Sequence, residues 1–297
     1  MSQTIILTGA TGFLGSHLLK YLLENSNFNI IILKRSFSNT SRISDCLKNE
    51  RVKFVDLDKT PIEKCFENYI SAVIHLATDY GRDGDSVRVL ESNLIFPVKL
   101  LELACKYKVN LFLNTDSYFN KENLSYLYLQ NYSLSKKSLN LWLKYYSKKI
   151  KIINLVLEHI YGENDNPEKF VSTMIDKIAF KKCSSVDVTY GEQKRDFIYA
   201  DDVCEAYKIV LDFGLSNKFR YRQFDVGTGV ATPIKDLLNK IKEISHSATQ
   251  INFGAVPYRD DEIMISVADN IDLTQLGWKP KFSLNDGLGT IITKGDR

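Results

Sequence analysis

A chain of 297 residues that is 44% hydrophobic and 25% charged is long enough to bury a sizeable core and has the make-up of a globular protein. Its 39 basic and 36 acidic residues leave a net charge of +3, too even a balance to point to nucleic acid or a membrane surface as partner. Five scattered cysteines without a C-x-x-C pair, no apolar run of membrane-spanning length and no basic, signal-like start lead us to expect a cytoplasmic protein with reduced thiols and no metal.

The first strand-like run is Ile5-Ile6-Leu7. Thr8-Gly9-Ala10-Thr11-Gly12-Phe13-Leu14-Gly15 follows at once, and a helical pattern runs over 13–23. Gly9 lets the chain turn sharply off a strand, Gly12 lets backbone amides approach a pyrophosphate, and Gly15 lets the helix pack close to the sheet. The helix N-terminus then faces the anion. Further apolar runs at 30–33, 52–55, 72–76, 111–113 and 152–157 alternate with helix-like stretches at 89–106 and 132–146. Alternation of this kind predicts the α/β class, a Rossmann-type doubly wound parallel sheet with its ligand at the carboxyl ends of the strands.

From about residue 166 the pattern changes to a helix-like 170–180, a strand-like 186–190 and a mixed stretch, which reads as a smaller C-terminal α/β substrate-binding lobe. Residues 1–165, with a return segment near 195–230, are expected to form the dinucleotide-binding domain, and 166–297 mainly the smaller lobe.

The end of the second strand reads Leu33-Lys34-Arg35-Ser36, where an NAD site usually carries a carboxylate for the adenosine ribose. Arg35, with Lys34, Ser36 and Arg42 nearby, suits a ribose phosphate instead, so NADPH (NADP+) is the expected cofactor. Asp56, at the end of the third strand, can accept from the adenine amino group.

Tyr132 and Lys136 lie one helical turn apart and leave the same face. A neighbouring ammonium lowers a phenol pKa by favouring the phenolate, so Lys136 is expected to activate Tyr132 and to hold the nicotinamide ribose. Thr115, in Asn114-Thr115-Asp116-Ser117 just past the fifth strand, can hydrogen-bond a carbonyl oxygen and position it against Tyr132.

Together the glycine turn, Thr115 and the Tyr132/Lys136 pair resemble the extended short-chain dehydrogenase/reductases, the NAD-dependent epimerase/dehydratase family. The likeness spans roughly 4–282 and includes His75-Leu76-Ala77-Thr78, Asn93, His159-Ile-Tyr-Gly162, Arg195-Asp-Phe-Ile-Tyr199, Asp201-Asp202-Val203 and Leu276-Gly-Trp-Lys-Pro280. It implies catalysis by Thr115, Tyr132 and Lys136, and cofactor contacts from the turn (Gly9, Thr11, Gly12, Phe13, Leu14, Gly15), from Lys34, Arg35, Ser36, Asp56 and Leu57, and from Leu76, Ala77, Thr78, Asn93 and His159. For the substrate it implies Asp79, Thr115, Ser117, His159, Lys169, Phe170, Glu262 and two arginines, Arg195 and Arg259, on a sugar-nucleotide diphosphate. Val156 and Glu163 depart from the Arg and Pro that many members carry there.

Runs such as Asp79-Tyr80-Gly81, Leu157-Glu-His159, Gly191-Glu-Gln-Lys-Arg195 and Arg259-Asp-Asp-Glu262 are similar to those of the family's reductases of CDP-linked 4-keto-3,6-dideoxyhexoses. That likeness implies NADPH-dependent reduction at C4 in deoxysugar and O-antigen or surface-polysaccharide synthesis, and a homodimer formed through the helices at 89–106 and 132–146. A 4-epimerase or 4,6-dehydratase with tightly bound NAD is the nearest alternative, although Ser117 stands where the family's dehydratases carry a glutamate. A non-catalytic NADP(H)-binding regulator is the alternative of another class.

Overall fold

The computed structural model describes residues 3–121 and 128–295. In chain order come β1 (Thr4–Thr8), α1 (Phe13–Asn25), β2 (Asn29–Lys34), β3 (Val52–Asp56), β4 (Ala72–His75), α2 (Ser86–Leu90), α3 (Phe96–Lys106), β5 (Leu111–Ser117), α4 (Gln130–Tyr146) and β6 (Lys151–Leu157). Then follow β7 (His159–Tyr161), α5 (Phe170–Ile175), β8 (Ser185–Val188), β9 (Lys194–Arg195), β10 (Phe197–Tyr199) and α6 (Ala200–Ser216). The chain ends with β11 (Tyr221–Val226), β12 (Thr232–Pro233), α7 (Ile234–Ile244), β13 (Gln250–Phe253), α8 (Ile271–Gln275) and α9 (Leu284–Gly295).

The described residues fall into two units, the first made of 3–121, 128–156 and 204–224 and the second of 157–203 and 225–295. In the first, a seven-stranded sheet has the order β3-β2-β1-β4-β5-β6-β11. β3 pairs with β2, β2 with β1, β1 with β4 and β4 with β5, each in parallel register. The strand order reverses between β1 and β4, the place where a doubly wound sheet opens a ligand crevice. Ile5–Leu7, Ile30–Ile32 and Ala72–Ile74 are buried throughout, as a sheet covered on both faces requires. Leu100, Leu101, Leu139 and Leu143 from α3 and α4 pack with Ile6, Val73 and Phe112 in one core.

Two predicted elements differ in detail. The helix expected over 89–106 is α2 and α3 joined by a π-turn at Glu91–Ile95. Pro97 has no amide to donate to the carbonyl four residues back, at Asn93, and a wide turn is the local solution. The fifth strand, expected to stop at Leu113, runs on to Ser117. Its polar end stays in the strand because neighbouring side chains satisfy it, as described below.

In the second unit β7 pairs with β10 and β8 with β13 in parallel, while β9 pairs with β12 antiparallel. The helix expected over 170–180 is α5 followed by a π-turn at Asp176–Phe180, and the strand expected over 186–190 ends at Val188. Tyr161, Ile175, Ile178, Phe197, Leu237, Leu238 and Leu288 form the core of this unit. Trp278 Nε1 donates to Asp202 O at 3.0 Å, and the Asp202 carboxylate accepts from the amides of Lys281 and Phe282, so two of the sequence landmarks meet.

Candidate active site

At the end of β1 the chain turns at Gly9, whose φ of +73° lies in the left-handed region open to glycine. A Cβ on Gly9 would stand 2.7 Å from the Ala77 amide nitrogen, and one on Gly15 would stand 2.0 Å from the Gly9 carbonyl oxygen. Turn, helix and the loop after β4 therefore meet backbone to backbone. Gly12 is the N-cap of α1, its amide donating to Gly9 O at 3.0 Å, and as a glycine it brings no capping side chain of its own. With Thr11, Phe13 and Leu14 around it, this helix N-terminus at the switch point fits a dinucleotide pyrophosphate.

The loop after β4 is fixed from two sides. Thr8 Oγ1 accepts from the amides of Leu76 (3.2 Å) and Ala77 (3.1 Å) and lies 2.9 Å from His75 Nδ1. Burial holds the His75 pKa down at about 3, with the Lys136 charge adding to it, so this ring is neutral. Buried Asn93, on the π-turn, accepts at Oδ1 from Thr78 Oγ1 (3.1 Å) and Asp79 N (2.7 Å), and donates from Nδ2 to Asp79 O (2.7 Å) and Ser135 Oγ (3.0 Å). Its whole hydrogen-bonding capacity is used. Asn93 therefore holds the loop that follows β4. The Asp79 carboxylate is engaged as well, with Gly81 N at 2.8 Å and Arg88 Nε at 2.7 Å.

Thr115, Tyr132 and Lys136 come together. The buried face of α4 carries Tyr132, Ser135, Lys136, Leu139 and Leu143, spaced three and four residues apart. Lys136 Nζ donates to the Thr115 carbonyl oxygen at 2.8 Å and lies 5.8 Å from the centroid of the Tyr132 ring. The Tyr132 ring is buried, stacked on Tyr80 at 5.0 Å and edge-on to Phe119 at 6.1 Å. Burial, with the Tyr80 phenol beside it, pushes the Tyr132 pKa well above the ordinary value, and a hydrogen bond with the Ser117 hydroxyl works the other way. The shift is therefore opposite to the lowering expected from Lys136, because desolvation penalises a phenolate in this enclosure. Burial also lowers the Lys136 pKa, with Asp116 opposing.

Beside these stand residues the sequence reading did not single out. Thr115 Oγ1 lies 2.5 Å from the hydroxyl of Tyr207 on α6. The buried Asp116 carboxylate accepts from Ser117 N (2.8 Å), Asn120 Nδ2 (2.8 Å) and Asn154 Nδ2 (2.9 Å), and Asn154 Oδ1 accepts from Asn114 Nδ2 at 2.7 Å. Four consecutive polar residues thus remain strand. Tyr80 lies in the run Asp79-Tyr80-Gly81 that the family likeness marked, without a role of its own there.

At the ends of β2 and β3, Ser36 Oγ donates to Asp56 at 2.7 Å and Ser36 N to Asp58 at 2.8 Å. Asp58 also accepts from Arg35 Nε. Hydrogen bonds from Ser36 lead in holding both carboxyls below the usual range. Lys34 Nζ lies 3.8 Å from Asp56, and Leu57 N donates to Lys34 O at 2.9 Å. Lys34 and Arg35 thus stand at these strand ends beside acidic counter-ions, Asp56 and Asp58.

In the second unit Arg195 is only 7% exposed, and its guanidinium donates to Lys194 O, Ile263 O and Glu262 Oε1. Arg195 and Glu262 are thus partners, and the Arg259 carbonyl accepts from Glu262 N at 3.1 Å. His159 Nδ1 lies 3.7 Å from Glu158 Oε2, and burial lowers its pKa. Lys169 Nζ pairs with Asp165 at 2.9 Å, and Phe170 opens α5. Glu163 accepts from Tyr199 Oη and Lys294 Nζ, tying α9 to the segment after β7.

A model of the NAD dependent epimerase/dehydratase family matches residues 5–227. The chain is 35% identical over 300 residues to a CDP-abequose synthase of Salmonella typhimurium, covering 99% of each protein. It is 38% identical over 298 residues to a CDP-abequose synthase of Salmonella muenchen, covering 99% of this chain and 98% of that one. The UDP-glucose 4-epimerase of Thermotoga maritima, solved with UDP-glucose, has a TM-score of 0.82 at 23% identity over 99% of both chains, a likeness of fold. A glycine turn at the switch point of a parallel sheet, a convergent Thr, Tyr and Lys, and matches of this length lead to one conclusion: the chain belongs to the NAD dependent epimerase/dehydratase family.

Proposed function

We propose that this protein is an NADPH-dependent 4-ketoreductase whose substrate is a nucleotide-linked 4-keto-3,6-dideoxyhexose, CDP being the nucleotide. The observation that carries the reading is the gathering of Tyr132, Lys136 and Thr115, with Lys136 Nζ on the Thr115 carbonyl at 2.8 Å, in a chain alike from end to end to CDP-abequose synthases. The bound cofactor supplies the hydride. Everything else comes from the chain. A reduction at C4 ends with a proton on the new oxygen, and Tyr132, kept protonated by its burial, is the acid placed to give it. Thr115 orients that oxygen. Lys136 fixes Thr115 through its carbonyl and keeps donors for the ribose hydroxyls. The ends of α1 and β2 hold the pyrophosphate and, through Arg35, the ribose phosphate. Arg195 and Arg259 are the donors proposed for the sugar-nucleotide diphosphate, with Glu262 as the counter-ion that Arg195 exchanges.

Asp116 argues against a 4,6-dehydratase. Its carboxylate is buried and spent on Ser117, Asn120 and Asn154, and position 117 offers a hydroxyl where elimination needs a base. The test is incubation of the purified protein with NADPH and CDP-, dTDP-, GDP- and UDP-linked 4-ketosugars, following loss of the reduced cofactor's near-ultraviolet absorbance and reading the C4 configuration of the product by NMR. Turnover with the CDP sugar is expected. Protein that arrives with NAD tightly bound and interconverts C4 epimers instead would replace this reading with an epimerase.

A further inference from the structure

Tyr207 stands in a row of buried apolar side chains on α6 that includes Val203, Ala206, Val210 and Leu211. A phenylalanine would serve that row as well for packing. The hydroxyl that Tyr207 adds is a polar atom in an apolar place, and such an atom is costly unless it is hydrogen-bonded. Its partner is Thr115 Oγ1 at 2.5 Å, the single hydrogen bond that Tyr207 Oη makes among the described residues. Burial drives the Tyr207 pKa far up, so the hydroxyl keeps its proton at any working pH.

The polarity of the bond follows from this accounting. The buried Tyr207 proton needs an acceptor, and Thr115 Oγ1 is the one within reach. When Tyr207 donates, the Thr115 proton stays free to be given to something else. In the reverse arrangement Thr115 would spend its proton on Tyr207, and the Tyr207 proton would point into apolar surroundings. Threonine, branched at Cβ, has few χ1 choices, and the Tyr207 contact selects among them. Lys136 meanwhile grips the same residue by its carbonyl oxygen.

We propose that Tyr207 is a positioning residue, which fixes the Thr115 rotamer and turns the Thr115 hydroxyl proton toward the substrate oxygen. The catalytic half of this inference rests on the ketoreductase reading, whereas the hydrogen-bonded pair stands apart from it. Two double-mutant cycles, run on the full-length protein, test it. In the first, Tyr207→Phe is expected to lower kcat about tenfold while KM for NADPH stays as in wild type, a loss of the size that slight misplacement of a reacting group brings. In a Thr115→Val background the same change is expected to do almost nothing, because no hydroxyl is left to aim. Wild-type kcat in Tyr207→Phe, or an equal loss in both backgrounds, overturns the inference.

The second cycle uses urea unfolding and needs no turnover. The midpoint shifts of Tyr207→Phe and Thr115→Val are expected to be non-additive in the double variant, as for groups that share a hydrogen bond. Strictly additive shifts overturn the pair. A wild-type protein inert toward every 4-ketosugar sinks the ketoreductase reading alone, and the unfolding cycle still decides whether Tyr207 holds Thr115.

Discussion

Lys136 Nζ donates to the carbonyl oxygen of Thr115 at 2.8 Å, so one ammonium ties the first turns of α4 to the far end of β5. Tyr132 rides on that same turn, and its place relative to Thr115 is set by this link and by the stack on Tyr80. Replacing Tyr132 by Phe keeps the ring and removes the acid. Ketosugar reduction is expected to fall roughly a hundredfold to ten-thousandfold with the Kd for NADPH unchanged. The pH profile carries the same signature. The acid must be protonated to work, and burial has raised its pKa, so the rate is expected to hold through neutral pH and to fall only above the ordinary phenol range near about 10. A steady-state profile that declines between neutrality and that point would remove Tyr132 from the role.

His75 gives the fold a pH dependence of its own. Its pKa of about 3 in the folded protein compares with 6.5 for the unperturbed group. Between those two values the unfolded chain binds the extra proton, so stability rises with pH across that window and is complete above it. From this residue alone the unfolding free energy is expected to be between about 2 and 3 kcal/mol lower near pH 4.5 than at pH 7. His75→Asn keeps a partner for Thr8 and removes the titration. Urea melts at the two pH values should show the difference shrink by that amount in the variant, and an unchanged difference would refute the assignment.

Arg35 and Asp58 together govern the proposed choice of cofactor. Arg35→Ala is expected to raise KM for NADPH by about tenfold to a hundredfold, the worth of a charge-assisted hydrogen bond, with little change for NADH. Asp58→Asn removes the counter-ion and is expected to tighten NADPH. Steady-state constants for both cofactors decide the matter, and equal losses for the two in Arg35→Ala would show that the guanidinium does not read the ribose phosphate.

The outer face of α4 leaves Leu141 70%, Trp142 43% and Tyr145 48% exposed, and Val87 and Leu90 on α2 are exposed as well. Exposed apolar side chains that gather into one patch on a folded surface favour an interaction site. We expect a homodimer through these helices, and Leu141→Glu is expected to yield monomers of unaltered fold. Light scattering on both proteins measures the mass directly. A wild-type chain that runs as a monomer at micromolar concentration would exclude the interface.

Much of the site could be read before any coordinates because its chemistry is local. Gly9, Gly12 and Gly15 betray themselves through spacing alone, and Tyr132 and Lys136 through one turn of helix. What escaped notice depends on distant segments. Tyr207 carries no motif of its own, and only the neighbouring strand, through Thr115 Oγ1, gives its hydroxyl a partner. Asp58 went unmarked because its partners, Arg35 and Ser36, lie more than twenty residues earlier. The Tyr132 pKa was expected to move in the wrong direction because it is the fold that brings Tyr80 and Phe119, which shut water out, against its ring. Asn114 to Ser117 looked like the end of a strand for want of Asn154 and Asn120, whose amides satisfy Asp116.

The π-turn at Glu91–Ile95 makes the chain sensitive to deletion where an ordinary helix would be forgiving. Losing one residue there would force α2 to run into α3 as a regular coil with Pro97 inside it, against the missing amide that the wide turn accommodates. Asn93 would then swing by about 100° around the axis, the angle one residue subtends, and drop its hold on Thr78 and Asp79. Shortening this stretch by a single codon is therefore more damaging than many substitutions within it.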